Sequence, residues 1–186
     1  MPDWTSTVPE QPRGHALPIR RTPSSKPMEA IITSPDLIGT YTHFYKGSTS
    51  PCTGKDCEAC MNGTPYRWHA YMTCVDVFTN LHFIFEVTAL AAEFFTAYRD
   101  HHCTLRGCHF KSKRWNSRPN GRILIQTKPA DLGERQLPNP PDLKKCMAIL
   151  WSLPTDSVED GIINPETRTQ TVTAKPQGSN GQCPSS

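Results

Sequence analysis

Long apolar runs are missing from this 186-residue chain: no stretch approaches the ~18–20 consecutive apolar residues that a membrane-spanning helix needs. A membrane partner is therefore not expected. The opening Met1-Pro-Asp-Trp-Thr-Ser has neither the basic region nor the apolar segment of a secretory leader, which points to a reducing, cytoplasmic compartment. Acidic residues are absent from Thr104 to Lys128, where Arg106, Lys111, Lys113, Arg114, Arg118, Arg122 and Lys128 place seven positive charges. A formal charge of +3 for the whole chain hides that local excess. A run of this kind is often just a solvated face. Here it surrounds Trp115 and spans a turn signal at Asn120-Gly121, which favours a binding role.

Catalytic signatures are absent too. The chain has no Walker loop, no nucleophile elbow and no HExxH pattern. Glu58 lies between Cys57 and Cys60, but the spacing from Pro51-Cys52 is wrong for the Pro-Cys-x-x-Cys of zinc deaminases. An enzyme is therefore not expected.

What the chain does have is cysteine, eight in all, and three of them fall within nine residues. Cys52, Cys57 and Cys60, with Pro51, Gly54 and Gly63 bending the backbone around them, have the spacing to converge on one tetrahedral ion. Soft thiolates with a borderline imidazole suit structural Zn²⁺, and His43 is the candidate fourth ligand, with His69 and Asp56 as competitors. Disulfides and free thiols are the alternatives, and a reducing compartment weighs against disulfides. Cys103 and Cys108 with His101, His102 and His109 form a second group whose spacing across a strand start works against convergence. Cys74 and Cys146 read as small buried apolar residues.

Composition divides the chain into three. Residues 1–35 carry seven prolines and few apolar residues, and are expected to be a disordered tail. Residues 152–186, rich in Pro, Gly, Ser, Thr, Asn and Gln, are expected to be a second. The folded domain is then 36–151. Within it, residues 38–45, 66–78 and 82–87 read as strands of an antiparallel meander, 89–100 as a helix capped by Thr88, 104–114 and 121–127 as a strand pair, and 142–151 as a terminal helix.

Strand, strand, strand, helix, strand, strand is the element order of an OB-fold. The expectation is a mainly β domain with one or two helices: a five-stranded OB-like barrel with the zinc loop between its first two strands. In that fold the metal loop and the Trp115 hairpin would face each other across a strand-binding groove. Arg106, Lys111, Lys113, Arg114, Arg118 and Arg122 are candidates for phosphate contacts, and Trp115, Tyr71 and Trp68 for base stacking.

The arrangement of a zinc loop in an OB-like order of elements resembles single-stranded-DNA-binding proteins of phages and plasmids, and the stretch Thr42-His-Phe, Pro51-Cys-Thr-Gly and Cys57-Glu-Ala-Cys60, with the later Leu105-Arg-Gly, is similar to proteins of mobile elements. The resemblance covers residues 38–127. It implies capture of single-stranded DNA or RNA without sequence preference, in replication, recombination or transfer of a mobile element. Bacterial-type binders recruit partners through an acidic tip, whereas this chain ends Gln-Cys-Pro-Ser-Ser, so a replication or transfer partner would have to engage the tails differently. A zinc-stabilised protein-interaction module is the rival expectation.

Overall fold

The computed structural model describes residues 17–133 and 136–153. Among these described residues, eight strands form one open, mixed sheet accompanied by three α-helices. In chain order they are β1 (Ile19–Arg20), β2 (Met28–Ile32), β3 (Ile38–Tyr45), β4 (Ser48–Pro51), α1 (Glu58–Met61), β5 (Tyr66–Asp76), β6 (His82–Thr88), α2 (Ala89–His102), β7 (Cys108–Arg114), β8 (Ile123–Pro129) and α3 (Leu143–Leu150). Two 3-10 turns, Gly54–Asp56 and Trp115–Ser117, complete the set.

The spine is β5. Its alternating residues face opposite sides of the sheet. Ala70, Met72 and Cys74 enter one core, while Tyr71 enters another. One edge of β5 is shared: its first half pairs with β3, from His43↔Tyr66 to Ile38↔Tyr71, and its last residues pair with β2. The other edge pairs with β6. The path through the sheet is β1-β6-β5-β2-β7-β8, with β1 parallel to β6 and the remaining pairs antiparallel.

The mainly β class, the meander β3-β5-β6, α2, the β7-β8 pair and α3 all match the sequence expectation. The five-stranded barrel gives way to an open sheet of eight strands, with β1 and β8 at the ends of the path. The difference comes from the segment expected to be a tail. Met28–Ile32 is an internal strand between β5 and β7, with Met28, Ala30 and Ile32 buried. Its prolines flank the strand instead of interrupting it: Pro27 stands immediately before it and Pro35 follows Ser34, positions that cost no ladder hydrogen bond. Residues 1–16 and 154–186, also expected to be tails, lie outside the described residues.

The larger core lies under α2. Phe85 and Phe110 stack with ring centroids 4.7 Å apart, and Phe95 of α2 meets both edge-on at 6.2 and 5.3 Å. All three are fully buried, each stabilising by about 1.5–3 kcal/mol relative to exposure. On the opposite face α3 covers Tyr71 and Ile84 with Leu143 and Met147. Its N-cap is Asp142, whose carboxylate accepts from the Lys145 amide at 3.0 Å. Glu86, the register partner of Tyr71, is buried and takes both of its bonds from the Arg21 guanidinium, at 2.5 and 3.1 Å.

Candidate functional site

β3 and β4 form a tight hairpin: Tyr45 pairs with Ser48, leaving only Lys46 and Gly47 to turn the chain, both at positive φ. This two-residue turn returns the backbone beside β3, and the Cys52 amide donates to the Tyr41 carbonyl at 2.8 Å. The 3-10 turn and α1 then fold back over the end of the hairpin. Gly63, at φ 69°, reverses the chain into β5. The Thr64 amide closes the loop on the Ala59 carbonyl at 2.9 Å.

This local path brings His43, Cys52, Cys57 and Cys60 together, with all four ligand atoms within 4.8 Å of one another. The Cys52 and Cys60 sulfurs are 3.6 Å apart, and Cys60 Sγ is 3.4 Å from His43 Nε2. A tetrahedral ion with metal–sulfur bonds of ~2.3 Å separates its ligand atoms by roughly 3.7 Å, so the donor set fits a metal ion as it stands. His43 Nδ1 lies 3.1 Å from the Thr64 carbonyl. A carbonyl only accepts, so Nδ1 carries the proton and Nε2 offers its lone pair to the cluster.

Burial pushes the Cys57 thiol up, but hydrogen bonds from the backbone of Cys60, Thr53 and Ala59 and from the Cys60 side chain outweigh it and hold the group down to about 6. Cys60 is raised to about 11 by burial and by its Cys52 and Cys57 neighbours. The two move apart because the first thiolate discourages the next, and a bound cation relieves that repulsion.

The competing ligands are placed elsewhere. His69 Nδ1 is 2.7 Å from the Thr42 hydroxyl, and Asp56 is exposed on the 3-10 turn. Among the described residues the second histidine–cysteine group does not converge: Cys108 is buried in the α2 core and His109 sits beside Glu29. Cys74 is buried, as expected, whereas Cys146, on α3, is only partly buried against the Tyr71 cluster.

The basic segment separates into two kinds of residue. Arg106 donates to the carbonyls of Thr33 at 2.8 Å and Leu137 at 2.9 Å, and Lys111 pairs with Glu29 at 2.6 Å. Arg114 donates to the Thr22 carbonyl at 3.0 Å and the Gly121 carbonyl at 3.4 Å. These three are engaged in bonds within the fold, Arg106 and Arg114 half-buried and Lys111 exposed. Lys113, Arg118 and Arg122 are exposed. Trp115, 57% exposed, stands with them on a hairpin tip tied by the Trp115 amide to the Arg122 carbonyl at 2.8 Å and the Gly121 amide to the Arg118 carbonyl at 2.9 Å. Gly121 is required there, because a Cβ would come within 3.0 Å of the Arg118 carbonyl oxygen and closer still to that of Trp115.

Two of the expected stacking residues pack into the fold to different degrees. Tyr71 is buried with Trp151 packed edge-on against it at 5.5 Å. Trp68 is half-buried, its ring lying over Gly39 where any side chain would collide. Alternation along β5 puts Tyr71 on the face that α3 covers.

The register also separates the metal cluster from the Trp115 hairpin. His43 is level with Tyr66 at the start of β5, whereas Ala30 is level with both Asp76 and Phe110, and β7 runs onward from there to the hairpin. Fifteen residues of strand separate the two levels, which at about 3.3 Å per residue is roughly 50 Å along the sheet, so the two features lie at opposite ends of it. They do not face each other across a groove. Sequence reading missed the residue that does share the hairpin's end: Phe78, 82% exposed in the β5-β6 turn, where an aromatic beside the Thr79-Asn80 turn signal was the available clue.

Among the described residues no helix is long and apolar enough to cross a membrane. Comparison of the chain with protein families, curated proteins and solved structures finds no match.

Proposed function

We propose that this protein binds single-stranded nucleic acid, DNA in the first instance, without sequence preference, and that the metal at the histidine–cysteine cluster is a structural Zn²⁺. The observation that carries the reading is the β7-β8 tip, where an exposed Trp115 is presented on a braced turn among Lys113, Arg118 and Arg122 with no acidic residue in the segment. Cations follow phosphates and an aromatic face stacks on any base, so this pairing captures a strand by chemistry common to all sequences. Four protein ligands would fill the coordination sphere of zinc and leave no position for a substrate, which favours a non-enzymatic role. Replication, recombination or transfer of a mobile element in a cytoplasmic setting is the process such binding would serve.

The test is titration of a labelled oligothymidylate at several salt concentrations. Affinity should fall steeply with salt, and Arg118→Ala with Arg122→Ala should make that dependence shallower by about two charges. Trp115→Ala should weaken binding roughly tenfold with the fold intact. A salt-independent affinity, or none, would overturn the reading.

A second reading, a zinc-stabilised protein-interaction module, is favoured by one observation. Phe44, Met61 and Tyr66 are exposed around the metal loop, at the end of the sheet away from the basic hairpin. A partner captured there would leave nucleic-acid binding untouched.

A further inference from the structure

The β5-β6 turn carries three exposed apolar side chains: Val77 at 41%, Phe78 at 82% and Leu81 at 60%. An apolar tip of this kind is unusual in a turn and is not explained by packing. It is also rigidly built. The Asp76 carboxylate accepts from the amides of Phe78 and Thr79, both at 3.0 Å, and the Asn80 amide closes on the Asp76 carbonyl at 2.9 Å.

The strand register places this turn beside the Trp115 hairpin. Asp76 and Phe110 are both level with Ala30, so β5 and β7 stand one strand apart, with Phe78 two residues and Trp115 five residues beyond that level. Two interstrand spacings across and three residues along put the two aromatic residues about 14 Å apart. The cations at this end have no ion-pair partner among the described residues: Lys113, Arg118 and Arg122 on the hairpin side and Lys26 just before β2. The carboxylates here are already neutralised, Asp76 by Arg20 at 2.8 Å and Glu29 by Lys111 at 2.6 Å. The end of the sheet is thus an aromatic residue on each side with free positive charge between and around them.

We infer that Phe78 is a second base-stacking residue, and that Phe78 and Trp115 together seat one single DNA strand laid across the β5-β2-β7 end of the sheet. The inference rests on the nucleic-acid reading above and adds a site on a different turn. Lys26 and Lys113 contact the phosphates between the two stacked bases. A strand must be unpaired to expose both base faces, so the site selects single strands over duplex. The span corresponds to on the order of four nucleotides, the low end for a small strand-binding domain.

The experiment uses the full chain, fluorescence anisotropy and oligothymidylates of two and eight nucleotides, with a duplex as control. Phe78→Ala is expected to weaken binding of the longer oligonucleotide about tenfold, leave the dinucleotide little changed, and shrink the preference over duplex. Phe78→Trp should retain affinity, and Phe78→Leu should behave like Phe78→Ala because stacking needs a π face. Thermal unfolding of each variant should match the parent, since the side chain is exposed. If Trp115→Ala weakens binding and Phe78→Ala does not, or if Phe78→Leu binds like the parent, the second stacking site is wrong and the hairpin reading stands. If Trp115→Ala and the arginine variants are also without effect, the hairpin reading itself fails.

Discussion

The Nδ1 atom of His43 donates to the carbonyl of Thr64, 21 residues later and 3.1 Å away. That bond fixes the ring on β3 against the entrance to β5, and it leaves Nε2 aimed at Cys60 before any ion arrives. The metal ligand and the strand pairing are thereby one construction. His43 is level with Tyr66, whose ring meets the imidazole edge-on at 6.0 Å.

Elemental analysis of the purified chain is expected to find about one zinc per molecule, as four protein ligands close a structural site. Cys60→Ser should lose the metal and lower the melting temperature, and a chelator should do the same to the parent. Binding of oligonucleotide at the far end of the sheet should change far less than stability. Metal-free protein of unchanged melting temperature would refute a structural role.

Removing residues 1–16 should be tolerated, whereas removing residues 1–34 should prevent folding. The longer deletion takes away β2, whose buried Ala30 and Ile32 lie between β5 and β7. Circular dichroism with urea unfolding distinguishes the outcomes: a cooperative transition after the longer deletion would contradict the sheet order.

Arg114→Ala and Arg118→Ala should behave differently. Losing the bonds to the Thr22 and Gly121 carbonyls should cost about 1–3 kcal/mol of stability, because two half-buried acceptors are left unsatisfied. Arg118, exposed on the tip, should leave stability within about 0.5 kcal/mol of the parent. Urea midpoints for the two variants provide the check.

Stability should rise with pH from acid to neutral. Burial holds the His82 imidazole below its ordinary range, and burial with the nearby Lys128 charge does the same for His109. The unfolded chain binds those protons more tightly, so stability present above the ordinary histidine value is lost as pH falls below it. Asp76 adds to this at lower pH. Burial raises its carboxyl, but the amides of Thr79 and Phe78 with Arg20 outweigh that and hold it below the usual range. Its contribution is therefore lost as pH drops through the folded-state value. His82→Asn should reduce the change in urea midpoint between about pH 5 and about pH 7, and an unchanged slope would exclude His82 as a source.

The metal cluster was legible because its information is local. Cys57 and Cys60 are three residues apart, and the turns that gather Cys52 and His43 are marked by Pro51, Gly54 and Gly63 in the same short stretch. Meander, helices and hairpin were legible from periodicity for the same reason. Residues whose partners are distant were not. Arg106 and Arg114 look like free cations in sequence, but their acceptors are Thr33 and Thr22, 73 and 92 residues away. β2 is five residues between prolines, too short for its alternation to stand out, and its burial comes entirely from strands that follow it. Tyr71 was misread because alternation says which residues share a face but not that α3 covers it.

The position of β2 has a consequence for how the chain is made. Met28–Ile32 emerges from the ribosome early, yet its second neighbour, β7, begins only at Cys108. Until then this apolar strand has at most one edge occupied, and a growing chain of about a hundred residues exposes an unpaired flank. Sheet completion waits on late synthesis, so the nascent protein is most vulnerable to aggregation, and most in need of a chaperone, before its basic hairpin has been translated.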